Sequence, residues 1–387
     1  MIEYQYKNYS LALIENDILI TDNNTGLIKR IPLAEENKSL GKINIPLSNK
    51  CNMQCLYCGE AYYMEGEHKK IDIGFAFSAI KAYLRYIKYK AIEITKIQLS
   101  FDYGGEPVCE LDNLEKIAGF FREECLKEEF TPIVQITTNG VWNSKMLPRI
   151  IETVDEVIVS LDGYKELHDK YRICKSGTAV FEQAACNARE LYNLKKLKQF
   201  SCVITQDSID NYEKLADFFA AEFPKTTVKM NPVIYTGSAV KNDVKRISVK
   251  EWNSFMKKII ERAGDKLKII DCRPEKSPDK KYLYGCGYMD MTSWFCWIDK
   301  RITCCTDRDS EDYVIGIYED NRLIMNEDLM SRLYSDNNVL NIEKCASCIA
   351  KFYCAGGCPK FRYGLIDCDR RKEKYAGILI NYIAAKG

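Results

Sequence analysis

Apolar positions recur along this chain with two different periods, and the alternation between them gives the first outline of the architecture. Short apolar or alternating runs at 42–47, 96–101, 133–137, 156–161, 199–204 and 228–235 predict strands. Between them, at 74–87, 114–124 and 181–194, apolar residues return every three or four positions, as on one face of a helix. Strands and helices taken in turn predict an α/β fold with a parallel sheet and right-handed crossovers. Six such units are too few for a closed eight-unit barrel. Ahead of them, Leu11-Ala-Leu-Ile14 and Ile18-Leu-Ile20 flank Asn16-Asp17, and the turn signal Asn23-Asn-Thr-Gly26 follows. This predicts a small β-hairpin extension over 1–40. After 236 the alternation breaks: a helix is predicted over 249–262, and the rest is rich in Cys, Gly and aromatic residues. The expected divisions are 1–40, a barrel at 41–235, a helical linker at 236–285 and a cysteine-rich domain at 286–387.

Composition narrows the function classes. The 387 residues, 46% of them apolar, suffice for one large domain and a smaller one. A net charge of +1 argues against nucleic acid as a partner bound through a broad basic surface. No apolar run approaches the roughly 20 residues of a membrane span. The opening Met1-Ile-Glu-Tyr4 is unlike a signal peptide, so a cytoplasmic, reducing compartment is expected. In that setting the 18 cysteines point to metal or cluster binding rather than disulfides. Only His68 and His168 are present, which leaves few imidazoles for metal or acid–base work.

Cys51-x3-Cys55-x2-Cys58 sets three thiols on one short loop after the first barrel strand. Three thiolates can each hold one iron of a [4Fe–4S] cube and leave the fourth iron open; a zinc site is the alternative. A second set is Cys345-x2-Cys348-x5-Cys354-x3-Cys358, followed by Cys368, with Cys286, Cys296 and Cys305 upstream; here two zinc sites are the alternative. Cys109, Cys125, Cys174, Cys186 and Cys202 have no such spacing and read as small buried residues. Gly104-Gly105-Glu106-Pro107 follows the second strand, and its glycines let backbone approach a ligand closely, or simply make a turn. Thr137-Thr138-Asn139-Gly140 and Ser160-Leu-Asp162-Gly163 end the third and fourth strands. Asn231 lies on the sixth. Short polar side chains at strand C-termini are well placed to meet ligands.

The triad, the Gly-Gly-Glu-Pro segment and Ser160–Arg172, with its His168-Asp169 and Arg172, together resemble radical S-adenosylmethionine (radical SAM) enzymes that modify peptides. The C-terminal cysteine pattern resembles the SPASM cassette. The resemblance implies a partial (β/α)6 TIM-type barrel, open on one side, with a C-terminal SPASM domain. It implies SAM on the open iron, Tyr57 beside the adenine, and Gly104, Gly105 and Glu106 near the SAM amino group. It places Thr138 and Asn139 at the ligand, Ser160 and Asp162 near ribose and carboxylate, Arg172 on the carboxylate, and Asn231 near adenine or substrate. It implies three [4Fe–4S] clusters. The first auxiliary one would use Cys286, Cys305 and Cys358, with Cys272, Cys296 or no protein ligand in fourth place; the adjacent Cys304 admits a shifted register. The second would use Cys345, Cys348, Cys354 and Cys368.

The implied reaction is oxidation of a ribosomally made precursor peptide carrying a leader sequence, by thioether or carbon–carbon crosslinking. Anaerobic sulfatase maturation, which makes formylglycine from Cys or Ser, is the alternative. In those maturases an Asp directly follows a cluster cysteine. Here Thr306 follows Cys305 and Asp307 comes next, so Asp307 and the strand-end Asp102 are the candidate bases. The implied partners are a flavodoxin or ferredoxin reductant and, because 40 residues are too few for a leader-binding module of domain size, either capture by the hairpin and barrel edge or a separate leader-binding protein.

Overall fold

The structure is a computed structural model, and it describes residues 1–35, 40–90, 93–272, 276–286, 288–362 and 368–386. The chain opens with an antiparallel meander of β1 (Ile2–Tyr6), β2 (Tyr9–Ile14), β3 (Asp17–Asp22) and β4 (Ile28–Pro32), in that order. The expected hairpin is its middle, with Leu11 opposite Ile20. In the outer strands Tyr, Gln, Lys and Arg fill many positions, which hides the alternation. A two-residue strand, β5 (Ala34–Glu35), follows.

Seven parallel strands then lie side by side in chain order: β6 (Leu40–Asn44), β7 (Lys96–Phe101), β8 (Thr131–Thr138), β9 (Glu156–Ser160), β10 (Leu197–Ile204), β11 (Thr227–Pro232) and β12 (Lys268–Asp271). Their crossovers carry α1 (Ile73–Tyr89), α2 (Leu111–Lys127), α3 (Leu147–Thr153), α4 (Lys165–Tyr171), α5 (Phe181–Asn193), α6 (Gln206–Asp210), α7 (Tyr212–Glu222), α8 (Ser238–Lys241) and α9 (Val249–Ala263). Asp72 starts α1 by accepting a hydrogen bond from the Phe75 N–H at 2.9 Å, and a Ser248/Glu251 capping box starts α9. The segment 236–285, where a helical linker is expected, holds the helices α8 and α9 and, beyond expectation, a seventh sheet strand. Four residues of β12 are too few to register as a period.

β13 (Lys280–Lys281) pairs with β5, tying the segment before the cysteine-rich region to the start of the chain. β14 (Ser293–Cys296) then joins the free side of β6 in parallel, and β15 (Arg301–Thr303), β16 (Val314–Glu319) and β17 (Arg322–Met325) continue antiparallel. The result is one open eleven-stranded sheet with β12 and β17 at its edges, as an open partial barrel requires. The chain finishes with α10 (Glu327–Asn337), α11 (Lys351–Cys354) and α12 (Cys368–Lys386).

Two cores hold this together. In the larger, Ile43, Leu99, Phe101, Val134, Ile136, Val157 and Val159 of the sheet meet Phe75, Ala79, Ile80, Tyr83, Ile117 and Phe121 of α1 and α2. In the smaller, Leu11, Leu13, Ile18 and Ile20 of the N-terminal meander pack with Ile349, Phe352, Tyr375 and Leu379 from the C-terminal end. Among the described residues no helix is long and apolar enough to cross a membrane.

Candidate functional site

The loop after β6 is shaped by backbone bonds from both sides. The Gln54 and Leu56 N–H groups donate to the carbonyls of Ile173 and Tyr171 at 2.7 and 2.9 Å, and the Ser238 N–H donates to the Cys58 carbonyl at 3.1 Å. Cys51, Cys55 and Cys58 are all partly buried there. Burial pushes the Cys51 thiol up to about 12, with the nearby Glu106 charge adding to it. Burial likewise pushes Cys55 up to about 11, against a pull from the Arg172 guanidinium. Such thiols ionise readily only beside a concentrated positive charge, which is what a metal centre supplies. Among the described residues no three His, Cys, Asp or Glu side chains converge tightly enough for a single ion. Cys51, Cys55 and Cys58 act on one another electrostatically, and three neighbouring thiols suit a cube in which each holds a different iron.

The Gly104–Pro107 turn packs against this loop. Gly104 has φ +79°, and a Cβ on Gly105 would lie 1.9 Å from the Lys50 carbonyl oxygen. The Gly105 N–H donates to the Ser48 carbonyl and the Glu106 N–H to the Lys50 carbonyl, both at 2.8 Å. The glycines therefore first allow two protein backbones to meet. The Glu106 carboxylate is buried, accepting from the Thr138 hydroxyl at 2.6 Å and the Asn139 N–H at 2.8 Å. Burial raises its pKa to about 7 in spite of these bonds. Asn139 donates to the Asn52 side-chain carbonyl at 2.7 Å and lies 3.9 Å from the Cys51 sulfur. Glu106, Thr138 and Asn139 thus form one brace behind the triad.

Asp162 is the hub of a second brace. It accepts from the Tyr57 hydroxyl, from Arg172 Nε at 3.0 Å and from the Val203 N–H at 2.9 Å. Arg172, expected on a ligand carboxylate, has its guanidinium forked onto Asp162. It also lies 5.5 Å over the Tyr57 ring. The Asp162 N–H donates to His168 Nδ1 at 3.3 Å, so the imidazole carries its proton on Nε2, which has no partner among the described residues. Burial pushes the His168 pKa down to about 4.

The sheet face opposite the helices is polar. Asp102 accepts from Lys42 Nζ at 2.8 Å, from Thr137 Oγ1 at 2.8 Å and from Gln135 Nε2 at 3.3 Å, so β6, β7 and β8 turn these residues to one side. Lys198, at a register shift in β10, reaches Gln135 and Glu156 on the same side. Ser160 and Ser201 are opposite each other in the β9–β10 ladder, and Asn231 donates to Ser201 at 3.0 Å. In an open partial barrel this face would line the lumen.

The C-terminal cysteines fall into two sets. Burial raises the Cys286 thiol to about 11, and Cys305 and Cys358 beside it add to the shift. Cys345, after burial, feels Cys348, Cys354 and Cys368. Cys304 is wholly buried, whereas Cys305 is part-exposed with Asp307 and Cys358 as charged neighbours. Cys296, a candidate fourth ligand, departs from expectation. It lies on β14 with its neighbour-but-one Trp294 packed on Tyr83 and Tyr86 of α1, and it is fully buried with burial as the sole influence on its thiol. The two-residue period of a strand puts Cys296 on that helix side, away from Phe295 and Cys286. Cys272 directly follows β12, donating its N–H to the Met230 carbonyl. Asp307 is ion-paired to Lys360 and donates its N–H to the Cys305 sulfur at 3.4 Å. Of the cysteines outside these sets, Cys125 and Cys202 are buried as expected, Cys109 and Cys174 are only partly so, and Cys186 is exposed on α5.

Three features of the site are not legible in the sequence. Cys109 sits beside Cys51 and Glu106. Glu60 Oε2 is buried without a hydrogen-bond partner among the described residues; burial raises its pKa, against the pull of the nearby Arg308 guanidinium and the Gly104 N–H. Tyr103 and Tyr288 share a hydrogen bond, and Tyr103 packs edge-on to Phe295 at 5.5 Å, joining the turn after β7 to the Cys286 set. The acid directly following Cys58-Gly59 is the only sequence signal among these, and it bears on Glu60 alone.

Residues 45–219 match the family model of the radical SAM superfamily. A cysteine-type anaerobic sulfatase-maturating enzyme of Clostridium novyi is 22% identical over 364 residues, covering 85% of this chain and 92% of the relative. The radical SAM cyclopropyl synthase TigE of Paramaledivibacter caminithermalis is 25% identical over 224 residues, covering 54% of this chain and 45% of the relative. Among solved structures, anSMEcpe with bound AdoMet and the Cp18Cys peptide superposes with a TM-score of 0.63 at 18% identity, covering 90% of this chain and all of that one. SuiB of Streptococcus suis bound to its precursor peptide SuiA gives 0.51 at 15%, covering 85% and 72%.

Proposed function

Because this chain carries a radical SAM domain and is an enzyme of that superfamily, we propose that it oxidatively modifies a ribosomally made precursor peptide, by thioether or carbon–carbon crosslinking. Cys51, Cys55 and Cys58 would hold a [4Fe–4S] cluster, which with SAM bound would supply a 5′-deoxyadenosyl radical on one-electron reduction. The chain's own residues do the rest. The Glu106–Thr138–Asn139 and Tyr57–Asp162–Arg172 braces hold the triad loop from two sides, and burial keeps the Tyr57 hydroxyl protonated as a donor to Asp162. Glu60 offers its unpaired oxygen to the SAM amino group. The polar face of the sheet receives an extended peptide; Asp102 Oδ would take the proton released as the new bond forms, the electron released with it would go to an auxiliary cluster, and Lys42, paired with the Asp102 carboxylate, holds it in position beforehand. Asp307 positions the Cys305 loop through Lys360.

The observation that carries crosslinking is the first auxiliary set. Cys286, Cys305 and Cys358 influence one another, and Cys296 is turned to the other face of the sheet. Cys272 donates its thiol to Asp271 and is not among the neighbours acting on Cys286, so a cluster held here by three protein thiols would leave a place where a peptide thiolate can be oriented. Cys345, Cys348, Cys354 and Cys368 supply a full set for a second auxiliary cluster. Formylglycine synthesis is the second reading, favoured by the near full-length likeness to the Clostridium novyi enzyme.

Anaerobic co-expression with small cysteine-bearing peptides encoded beside this gene, followed by tandem mass spectrometry, separates the two. Loss of two hydrogens per modification, with fragmentation blocked between two residues, is the expected result. An aldehyde trapped by hydrazine at Cys or Ser means formylglycine and overturns the crosslinking reading. Cys51→Ala abolishes 5′-deoxyadenosine formation; retained cleavage in that variant refutes the role of the triad.

A further inference from the structure

The charged side chains that β6 to β12 turn to the polar face neutralise one another, with one exception inside the sheet. Lys42 pairs with Asp102 and Lys198 with Glu156, and Gln135 links the two pairs, accepting from Lys198 at 3.0 Å and donating to Asp102 at 3.3 Å. Lys96 and Lys268 share this face but stand exposed at the first residue of β7 and β12. Lys229 is the exception. It lies inside β11 between Val228 and Met230, both buried in the larger core, so the two-residue period turns it to the polar face. It is partly buried there, and its ammonium has no hydrogen bond or ion pair among the described residues.

The neighbours of Lys229 bring donors and no charge. Ser201 is opposite it in the β10–β11 ladder, and the Ser201 hydroxyl oxygen accepts from Asn231 Nδ2 at 3.0 Å, which leaves the hydroxyl proton to be given elsewhere. Asn231 also donates to the Lys229 carbonyl at 3.2 Å, so one amide fixes both the strand and the serine. On the other side Ile270 of β12 is opposite Lys229. An ammonium and a hydroxyl on adjacent strands, about 5 Å apart, match the two oxygens of a carboxylate brought by a ligand.

We propose that Lys229, with the Ser201 hydroxyl, binds the carboxylate of an Asp or Glu side chain in the peptide and so selects which peptides are accepted. This rests on the peptide-modifying reading above and adds a substrate class to it. SAM is the weaker candidate as the source of that carboxylate. The braces of the triad draw on Glu106, Thr138, Asn139 and Asp162 at the ends of β7, β8 and β9, and they meet β10 only at the Val203 N–H. Lys229 lies one strand further on and two residues before Asn231, the residue level with Val203. Asp102 follows β7, four strands from β11, so the two sites are at most about 20 Å apart along the sheet. An extended peptide rises about 3.3 Å per residue, which puts the acidic residue within about six positions of the modified one.

The test uses the full chain with its clusters and synthetic peptides covering the cysteines of the precursor encoded beside this gene. One peptide is natural, one has every Asp and Glu within that window of its cysteines changed to Asn and Gln, and one has them changed to Lys. Calorimetry without reductant measures the affinity of each for the natural chain, Lys229→Gln and Lys229→Glu, all matched in iron content. The expected result is a loss of about tenfold from the amide peptide or from Lys229→Gln, with little further loss when the two are combined. The Lys peptide should regain affinity for Lys229→Glu alone. Equal affinity of the natural chain for acidic and amide peptides overturns the proposal, and so does a modified precursor with no Asp or Glu in the window. A Lys229→Gln chain that binds SAM more weakly gives the lysine to SAM and overturns it as well. If SAM is cleaved but no peptide is modified, the crosslinking reading fails, and the affinities, which need no turnover, still decide the role of Lys229.

Discussion

Gly105 has no room for even one more carbon, since a Cβ there would press on the carbonyl of Lys50, the residue directly before the first triad cysteine, Cys51. Gly105→Ala is expected to cost about 1–3 kcal/mol by overpacking and to lower iron retention at the triad, read from urea unfolding and iron analysis. Asp102→Asn should keep 5′-deoxyadenosine formation while cutting peptide product at least about tenfold, as loss of a general base does; equal product from the variant removes Asp102 from the chemistry.

His168 carries a pH signature. Its pKa is about 4 folded and about 6.5 unfolded, so the unfolded chain binds the extra proton between these values. The stability it supports is complete above about pH 6.5 and is lost as pH falls toward 4, by about 3 kcal/mol in all. Glu106, raised to about 7, has the opposite sign: its contribution is lost as pH rises from its unfolded value through 7. Urea unfolding of the cluster-free chain should therefore show the advantage of the natural chain over His168→Gln shrinking between about pH 7.5 and about pH 5. A constant difference would mean that His168 is not held neutral. The grouping of the cysteines into sets was legible because their spacing is local. Glu60 and the turned-away Cys296 were not, because both depend on which way a neighbouring strand or turn faces.

At the scale of elements, all six expected barrel strands are present, β7 with the same bounds, because each has a buried side that its sequence must supply. The N-terminal meander was only half legible. Its β1 and β4 find their apolar partners in the C-terminal end, hundreds of residues away, and no local pattern reports that. Removing residues 1–33 should uncover Ile349, Phe352 and Tyr375 and loosen the Cys345 set, which packs at the edge of the same core. The expected outcome is a loss of about four irons per chain, measured by iron analysis after reconstitution. Unchanged iron would show that the meander is dispensable for that set.

At the scale of the molecule, the fold class was legible and the way its parts interlock was not. The strand β14 extends the barrel sheet, so the cysteine-rich region shares the sheet rather than standing apart from it. The meander, by contrast, belongs to the other end of the chain. That pairing of first strands with last helix has a consequence for how the protein is made. At about 5–20 residues per second, the ribosome finishes α12 roughly 20–70 s after β4 has emerged. Through that interval Leu11, Leu13, Ile18 and Ile20 have no lasting cover, and the nascent meander presents open strand edges. The meander is thus made long before the helix that completes its core, and it has no settled burial until α12 has emerged.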